Sequence, residues 1–193
     1  MDAETIDPRW LLAEVAAILG KLKISYAVAG GMAIYVWGRP RFTSDIDIVI
    51  ELASVQADAL VKVLKSLHEA GYIEQDAVDR AIERHGEFNF IDGQTGVKVD
   101  FWVLGKDEFS KSQLKRRVFR TVRKQKVYFV SAEDLILSKL LWHRESESSK
   151  QIEDIKSVLE IQRKLDWKYL SRWSKIHKTV GVFKSLRKRV GRT

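Results

Sequence analysis

The sequence predicts an α/β (α+β) fold: a short mixed sheet flanked by helices, followed by a C-terminal helical segment. Three observations predict it. Short apolar or alternating runs bounded by glycine, which read as strands, concentrate in the first 130 residues. Apolar residues at helical spacing lie between those runs, and helical patterning alone follows them. Hydrophobic residues make up 45% of the 193 positions, enough for a real core. The expected division is a core over residues 1–130 and a helical segment with a basic tail over 131–193.

Each element has a local reason. Asp7 can cap a helix and Pro8 suits its first turn; Leu11, Leu12, Val15, Ile18, Leu19 and Leu22 follow at helical spacing, with Gly20 near the end. Tyr26–Ala29 reads as a buried strand, broken by Gly30-Gly31, with a short helix expected over Met32–Trp37. Gly38–Ser44 is a basic, turn-rich loop, and Asp45–Glu51 alternates as a strand does. Ser54 opens a helix expected to run to about Ala70, closed by Gly71, and Gln75–Arg84 reads as a further helix. Glu87–Ile91 and Val97–Leu104 are strands joined across Asp92–Gly96. Phe109–Phe119 is expected to be helical, and Val127–Val130 to be the last strand. Ser131 with Asp134 resembles a capping box before an apolar helix to about Arg144; Lys150–Lys164 and Trp167–Lys178 read as two more helices. Trp10, Trp142, Trp167 and Trp173 fall at apolar helix positions, where core packing is the expectation.

Composition excludes several classes. There are no cysteines, so a disulfide scaffold, a thiolate metal site and a cysteine nucleophile are excluded. No apolar run approaches the roughly 20 residues of a membrane helix, and the acidic start MDAETIDPRW lacks the features of a signal peptide. A cytoplasmic protein with no membrane partner is expected. His68, His85, His143 and His177 form no H-E-x-x-H pattern, which disfavours a zinc hydrolase. Neither a Walker loop, a G-x-G-x-x-G nor a G-x-S-x-G elbow occurs.

The net charge is +8, from 34 Lys+Arg against 26 Asp+Glu, and it is segmental. Residues 106–126 hold nine basic and two acidic side chains, and residues 167–193 hold nine basic and none acidic. An acidic body therefore carries two basic segments, which suit capture of a polyanion such as RNA.

The stretch that speaks of chemistry runs from Gly30-Gly31 through Arg39-Pro40-Arg41-Phe42-Thr43-Ser44-Asp45-Ile46-Asp47. Asp45 and Asp47, two apart on a predicted strand, leave the same face, with Ile46, Ile48 and Ile50 turned to the core. Two adjacent carboxylates repel unless a cation lies between them, and a hard divalent ion with oxygen ligands resolves that repulsion. Asp100 is a third acid, set in the apolar run Val97–Leu104. If the two strands are neighbours, three acids converge as at a magnesium site that also holds a nucleoside triphosphate. Glycines at a strand-to-helix turn let backbone approach a phosphate closely. Arg39, Arg41 and Thr43, just before the acid pair, are placed to reach a triphosphate.

On Gly30-Gly31, Arg41-x-Thr43-x-Asp45-Ile46-Asp47 and Asp100, the chain resembles the nucleotidyltransferase superfamily of polymerase-β-like fold, in the small branch of abortive-infection toxin-type nucleotidyltransferases. The resemblance covers residues 24–104 well and 127–160 more loosely. It implies that residues 1–130 are a catalytic core in which Asp45, Asp47 and Asp100 bind two Mg²⁺ ions. It further implies that Gly30 and Gly31 hold the triphosphate and that Asp100 also draws the proton from the acceptor hydroxyl. Ser131–Lys139 followed by Glu153-Asp154-Ile155 resembles the helical part of the toxin-type members, which makes Lys139 a catalytic candidate and Asp154 its companion. The expected activity is transfer of a nucleoside monophosphate from an NTP to an acceptor hydroxyl (an RNA or tRNA end, a protein or a small molecule), with pyrophosphate released. An antitoxin-type protein is the expected partner. A non-catalytic nucleic-acid-binding or antitoxin-like module on the same fold is the alternative.

Overall fold

In chain order the elements are α1 (Arg9–Lys21), β1 (Ser25–Val28), α2 (Gly30–Trp37), β2 (Ile46–Glu51), α3 (Ser54–Lys65), α4 (Gln75–Arg84), β3 (Glu87–Ile91), β4 (Lys98–Val103), α5 (Glu108–Arg116), β5 (Val118–Val122), β6 (Gln125–Phe129), α6 (Ala132–Ser146), α7 (Ser149–Ile161), α8 (Trp167–Ile176) and α9 (Val180–Arg189). They come from a computed structural model, which describes residues 7–68 and 71–191. The expected helix end at Ala70 lies outside the described residues, as does Arg192 of the basic tail.

The chain divides into two units. The first comprises the described residues of Met1–Ala29 with Thr43–Phe129. Its six-stranded sheet has the order β3-β4-β2-β1-β6-β5. β2 runs parallel to β4, and β1 parallel to β6; the pairs β1–β2, β3–β4 and β5–β6 are antiparallel. α1 packs on β6 and β1, α3 joins α1 and α4, and α4 reaches β3 and β4. Ile46, Ile48 and Ile50 are fully buried, together with Val99 and Phe101 of β4. This sets one face of β2 and β4 against the core, and the other carries Asp47 and Asp100 beside the apolar pair Val49–Trp102.

The second unit comprises Gly30–Phe42 and Val130–Thr193, the latter described to Gly191. The early segment joins the late helices through specific bonds. The Trp37 indole N–H donates to the Val130 carbonyl at 2.8 Å, and the Gln162 side-chain amide donates to the Trp37 carbonyl at 2.8 Å. A Cβ at Gly38 would collide with the Ser157 hydroxyl, so glycine alone permits the close passage of residue 38 beside α7. Ser131 caps α6, its hydroxyl accepting from the Asp134 N–H at 3.1 Å, as the sequence pattern predicts.

Four expectations are corrected. The helix predicted over Phe109–Phe119 ends at Arg116, and Val118–Val122 is an edge strand. Its hairpin turn is Arg123-Lys124, both at positive φ (48° and 67°), where Asn-Gly is the usual signal. α2 begins at Gly30 itself, which has φ 55°, so the glycine pair starts the helix and does not merely precede it. The basic tail contains α9, anchored by buried Phe183 and Leu186. Trp10 is 58% exposed and not a core residue; the Arg123 guanidinium lies 4.2 Å from its ring centroid. No helix among the described residues is long and apolar enough to cross a membrane.

Candidate active site

Asp47 and Asp100 are cross-strand partners on the parallel pair β2–β4. Partners in register share a face, so both carboxylates leave the side of the sheet opposite the buried isoleucines. Asp45 sits one residue before β2 and not on it. A turn holds it there: the Thr43 hydroxyl donates to the Asp45 carbonyl at 3.3 Å, and the Ser44 hydroxyl to its carboxylate at 3.2 Å. Thr43 thus shapes the approach to the acid pair. The Ala29 N–H donates to the Asp47 carbonyl at 2.8 Å, which extends the β1–β2 ladder to the last residue before Gly30.

One residue of this face escaped sequence analysis. Lys98, two before Asp100 on β4, sets its ammonium 2.8 Å from Asp100 Oδ2. The hydrogen bond that Lys98 donates to Asp100 raises the Lys98 pKa above its ordinary value; burial opposes, and the charges of Asp100, Asp45 and Glu87 add to the rise. The signal was present in Lys98-Val99-Asp100, since residues two apart on a strand share a face. Asp100 itself is 8% exposed, and its other oxygen, Oδ1, is buried without a hydrogen-bond partner.

Among the described residues, no three His, Cys, Asp or Glu side chains are already gathered as a metal site. The donors nonetheless fit a hard divalent cation. Two carboxylates stand in register, a third is within electrostatic reach of the same lysine, and a buried carboxylate oxygen is left unsatisfied.

Gly30, Gly31, Arg41 and Lys139 belong to the second unit. There, Arg41 and Lys139 converge on Asp154. Arg41 holds that carboxylate bidentately, Nε and Nη2 each 2.8 Å from an oxygen. The Lys139 ammonium lies 2.7 Å from Asp154 Oδ2 and donates to the Gln151 side-chain carbonyl at 2.9 Å. Lys139 is only 2% exposed and Asp154 4%. Burial works to raise the Asp154 pKa, but the hydrogen bonds and charges of Arg41 and Lys139 outweigh it and hold the carboxyl below its usual range. The Arg41–Asp154 pair, 113 residues apart, had no signal in the sequence.

A family profile described as "Nucleotidyl transferase AbiEii toxin, Type IV TA system" matches residues 10–168. The chain belongs to the AbiEii family. No curated protein sequence matches it. Among solved structures, an antigenic nucleotidyltransferase-like protein from Paracoccidioides brasiliensis is similar at a TM-score of 0.56 and 20% identity, over 93% of this chain and 91% of that one. The antibiotic-resistance factor ANT(2'')-Ia is similar at 0.56 and 15% identity, over 95% and 94% of the two chains. The lincosamide antibiotic adenylyltransferase LnuA, bound to lincomycin, is similar at 0.53 and 13% identity, over 82% and 99%. At these identities the likeness is one of fold, and this AbiEii-family chain has the mixed α/β architecture of nucleotidyltransferases.

Proposed function

We propose that this AbiEii-family chain is a magnesium-dependent nucleotidyltransferase that moves a nucleoside monophosphate from an NTP to an acceptor hydroxyl and releases pyrophosphate. The observation that supports the reading most is the register of Asp47 with Asp100 on adjacent parallel strands, with Asp100 Oδ1 buried and unsatisfied. Asp45, Asp47 and Asp100 would hold two magnesium ions. Bound magnesium would neutralise the acids and the phosphates and lower the charge barrier to attack.

In the transfer, the acceptor oxygen forms a bond to the α-phosphorus as the bond to the pyrophosphate oxygen breaks, and the acceptor proton passes to the Asp100 carboxylate. Gly30 and Gly31 are assigned to the triphosphate: the left-handed φ of Gly30 opens α2, and helix starts offer free N–H groups to phosphate. Arg41 is assigned to the triphosphate and Lys139, held with it on Asp154, to catalysis. Residues 1–130 are read as the catalytic core.

RNA, a tRNA end included, is the favoured acceptor. The β5–β6 hairpin supports this with Arg117 over the Tyr128 ring at 4.8 Å, Lys126 over the Phe119 ring at 4.4 Å, and Phe119 exposed. The partner implied by family membership is an antitoxin-type protein.

The test is incubation with magnesium and each labelled NTP, together with total RNA and total protein. Label should enter one polymer class and vanish in the double variant Asp45→Asn, Asp47→Asn. Failure of all four nucleotides to label any acceptor would favour a binding module instead.

A further inference from the structure

The contact between Lys98 and Asp100 points to how the site is regulated. Lys98 and Asp45 each stand one residue before the cross-strand pair Val99–Ile46, and the next polar pair along the same two strands is Asp100–Asp47. The ammonium therefore acts on two of the three acids that the proposed reading assigns to magnesium, Asp100 and Asp45. It is 2.8 Å from Asp100 Oδ2 and within electrostatic reach of Asp45. A tethered monovalent cation placed this way satisfies the cluster only in part, since Asp100 Oδ1 stays buried and unbonded. The Lys98 side chain is 40% exposed, so it is free to leave. Glu87, on the same face of β3, acts electrostatically on it and offers the ammonium a second seat.

We propose that Lys98 is a built-in counter-ion: its ammonium occupies the cation position beside Asp100 in the metal-free protein and must swing out before a divalent ion enters. The inference rests on the assignment of Asp45, Asp47 and Asp100 as metal ligands. The ammonium neutralises Asp100 in the free enzyme, and it weakens affinity for the bare ion. Metal arriving already bound to a nucleotide brings phosphate oxygens that give the displaced ammonium a new partner. Divalent metal and NTP would then enter together, and the metal alone would be held weakly.

The experiment is Mn²⁺ titration of the full-length chain without nucleotide, read by the electron paramagnetic resonance signal of free Mn²⁺ and by the thermal midpoint. Lys98→Met should bind Mn²⁺ roughly tenfold more tightly than wild type, the scale of removing one close like charge. In chelator its midpoint should fall below that of wild type, and Mn²⁺ should restore it. Lys98→Gln should behave similarly and guards against a packing defect peculiar to methionine. Adding Asp100→Asn to Lys98→Met should abolish the gain. Equal or weaker Mn²⁺ binding in both Lys98 variants, with binding still lost in Asp100→Asn, would overturn the counter-ion role and leave the metal assignment standing. Absence of Mn²⁺ binding in every variant would overturn both.

Discussion

Asp47 and Asp100 face each other across two parallel strands, in register, although 52 residues separate them in sequence. Neither strand could place a pair of acids there alone. β2 supplies the acid-x-acid pattern, and β4 brings Asp100 into an otherwise buried row with its own lysine two residues away.

Asp47→Asn should remove nucleotidyl transfer while leaving the thermal midpoint within a few degrees of wild type, because the Lys98–Asp100 pair survives. The loss of turnover should exceed about a hundredfold, more than removing a group that only supports a metal ligand costs. Single-turnover labelling beside differential scanning fluorimetry measures both. Retained transfer would refute the assignment of Asp47.

Asp154→Asn should act through stability. It leaves the Lys139 ammonium buried against a neutral amide and takes the bidentate partner from Arg41, a loss of about 3–5 kcal/mol for a broken buried pair. Urea denaturation measures it. The pH dependence has a definite sign. The folded-state Asp154 carboxyl is held below its ordinary value of 3.8, so its contribution is fully present above that value and disappears as pH falls through the lowered one. The stability gap between wild type and Asp154→Asn should therefore be flat at neutral pH and shrink below about pH 4.

Gly38→Ala should destabilise the second unit by about 1–3 kcal/mol, the usual cost of overpacking. The added methyl meets the Ser157 hydroxyl, which also accepts from the Arg39 N–H at 3.3 Å. Removing that hydroxyl in Gly38→Ala, Ser157→Ala should recover part of the loss. Additive penalties in the double-mutant cycle would refute the contact.

Lys124→Gly should stabilise the β5–β6 hairpin by about 0.5–1 kcal/mol, because lysine at φ 67° bears a left-handed strain that glycine does not. Chemical denaturation of the two proteins provides the comparison. Arg123 should not be exchanged in the same test, since it also pairs with Asp7 at 2.6 Å.

Lys184, Lys188 and Arg189 are exposed on α9, whereas Phe183 and Leu186 are buried beneath it. Replacing the three cations by glutamine should weaken binding of a single-stranded RNA oligonucleotide and lower its salt slope by roughly 0.7 for each lost phosphate contact. Stability should hold. Deleting residues 180–193 should instead lower the thermal midpoint, because it uncovers apolar surface. An unchanged salt slope in the glutamine variant would return those cations to a solubilising role.

Much of this architecture was legible from local chemistry. Alternation marked β2, an apolar run marked β4, helical spacing marked α1, and the Ser131 hydroxyl announced the start of α6. The adjacency of Asp47 and Asp100 followed from reading both segments as strands of one sheet. What stayed hidden had physical causes. β5 was obscured because its turn uses two basic residues in left-handed conformations, where sequence rules look for Asn-Gly. α9 was masked by charge, its two buried apolar residues outnumbered by solvated cations. Trp10 was misplaced because helical spacing does not say which face an aromatic at the first turn will take. The Arg41–Asp154–Lys139 cluster is a tertiary event between segments far apart in sequence.

The parallel pairing of β2 with β4 sets the terms on which this protein can change. The connections between α3, α4 and β3 can change in length without touching the chemistry, provided those elements keep their packing and the hydrogen-bonded ladder closes on the same rung. A slip by a single rung would bring Val99 or Phe101 opposite Asp47 and turn the third acid toward the hydrocarbon interior. One residue inserted within β4 should therefore silence the enzyme outright.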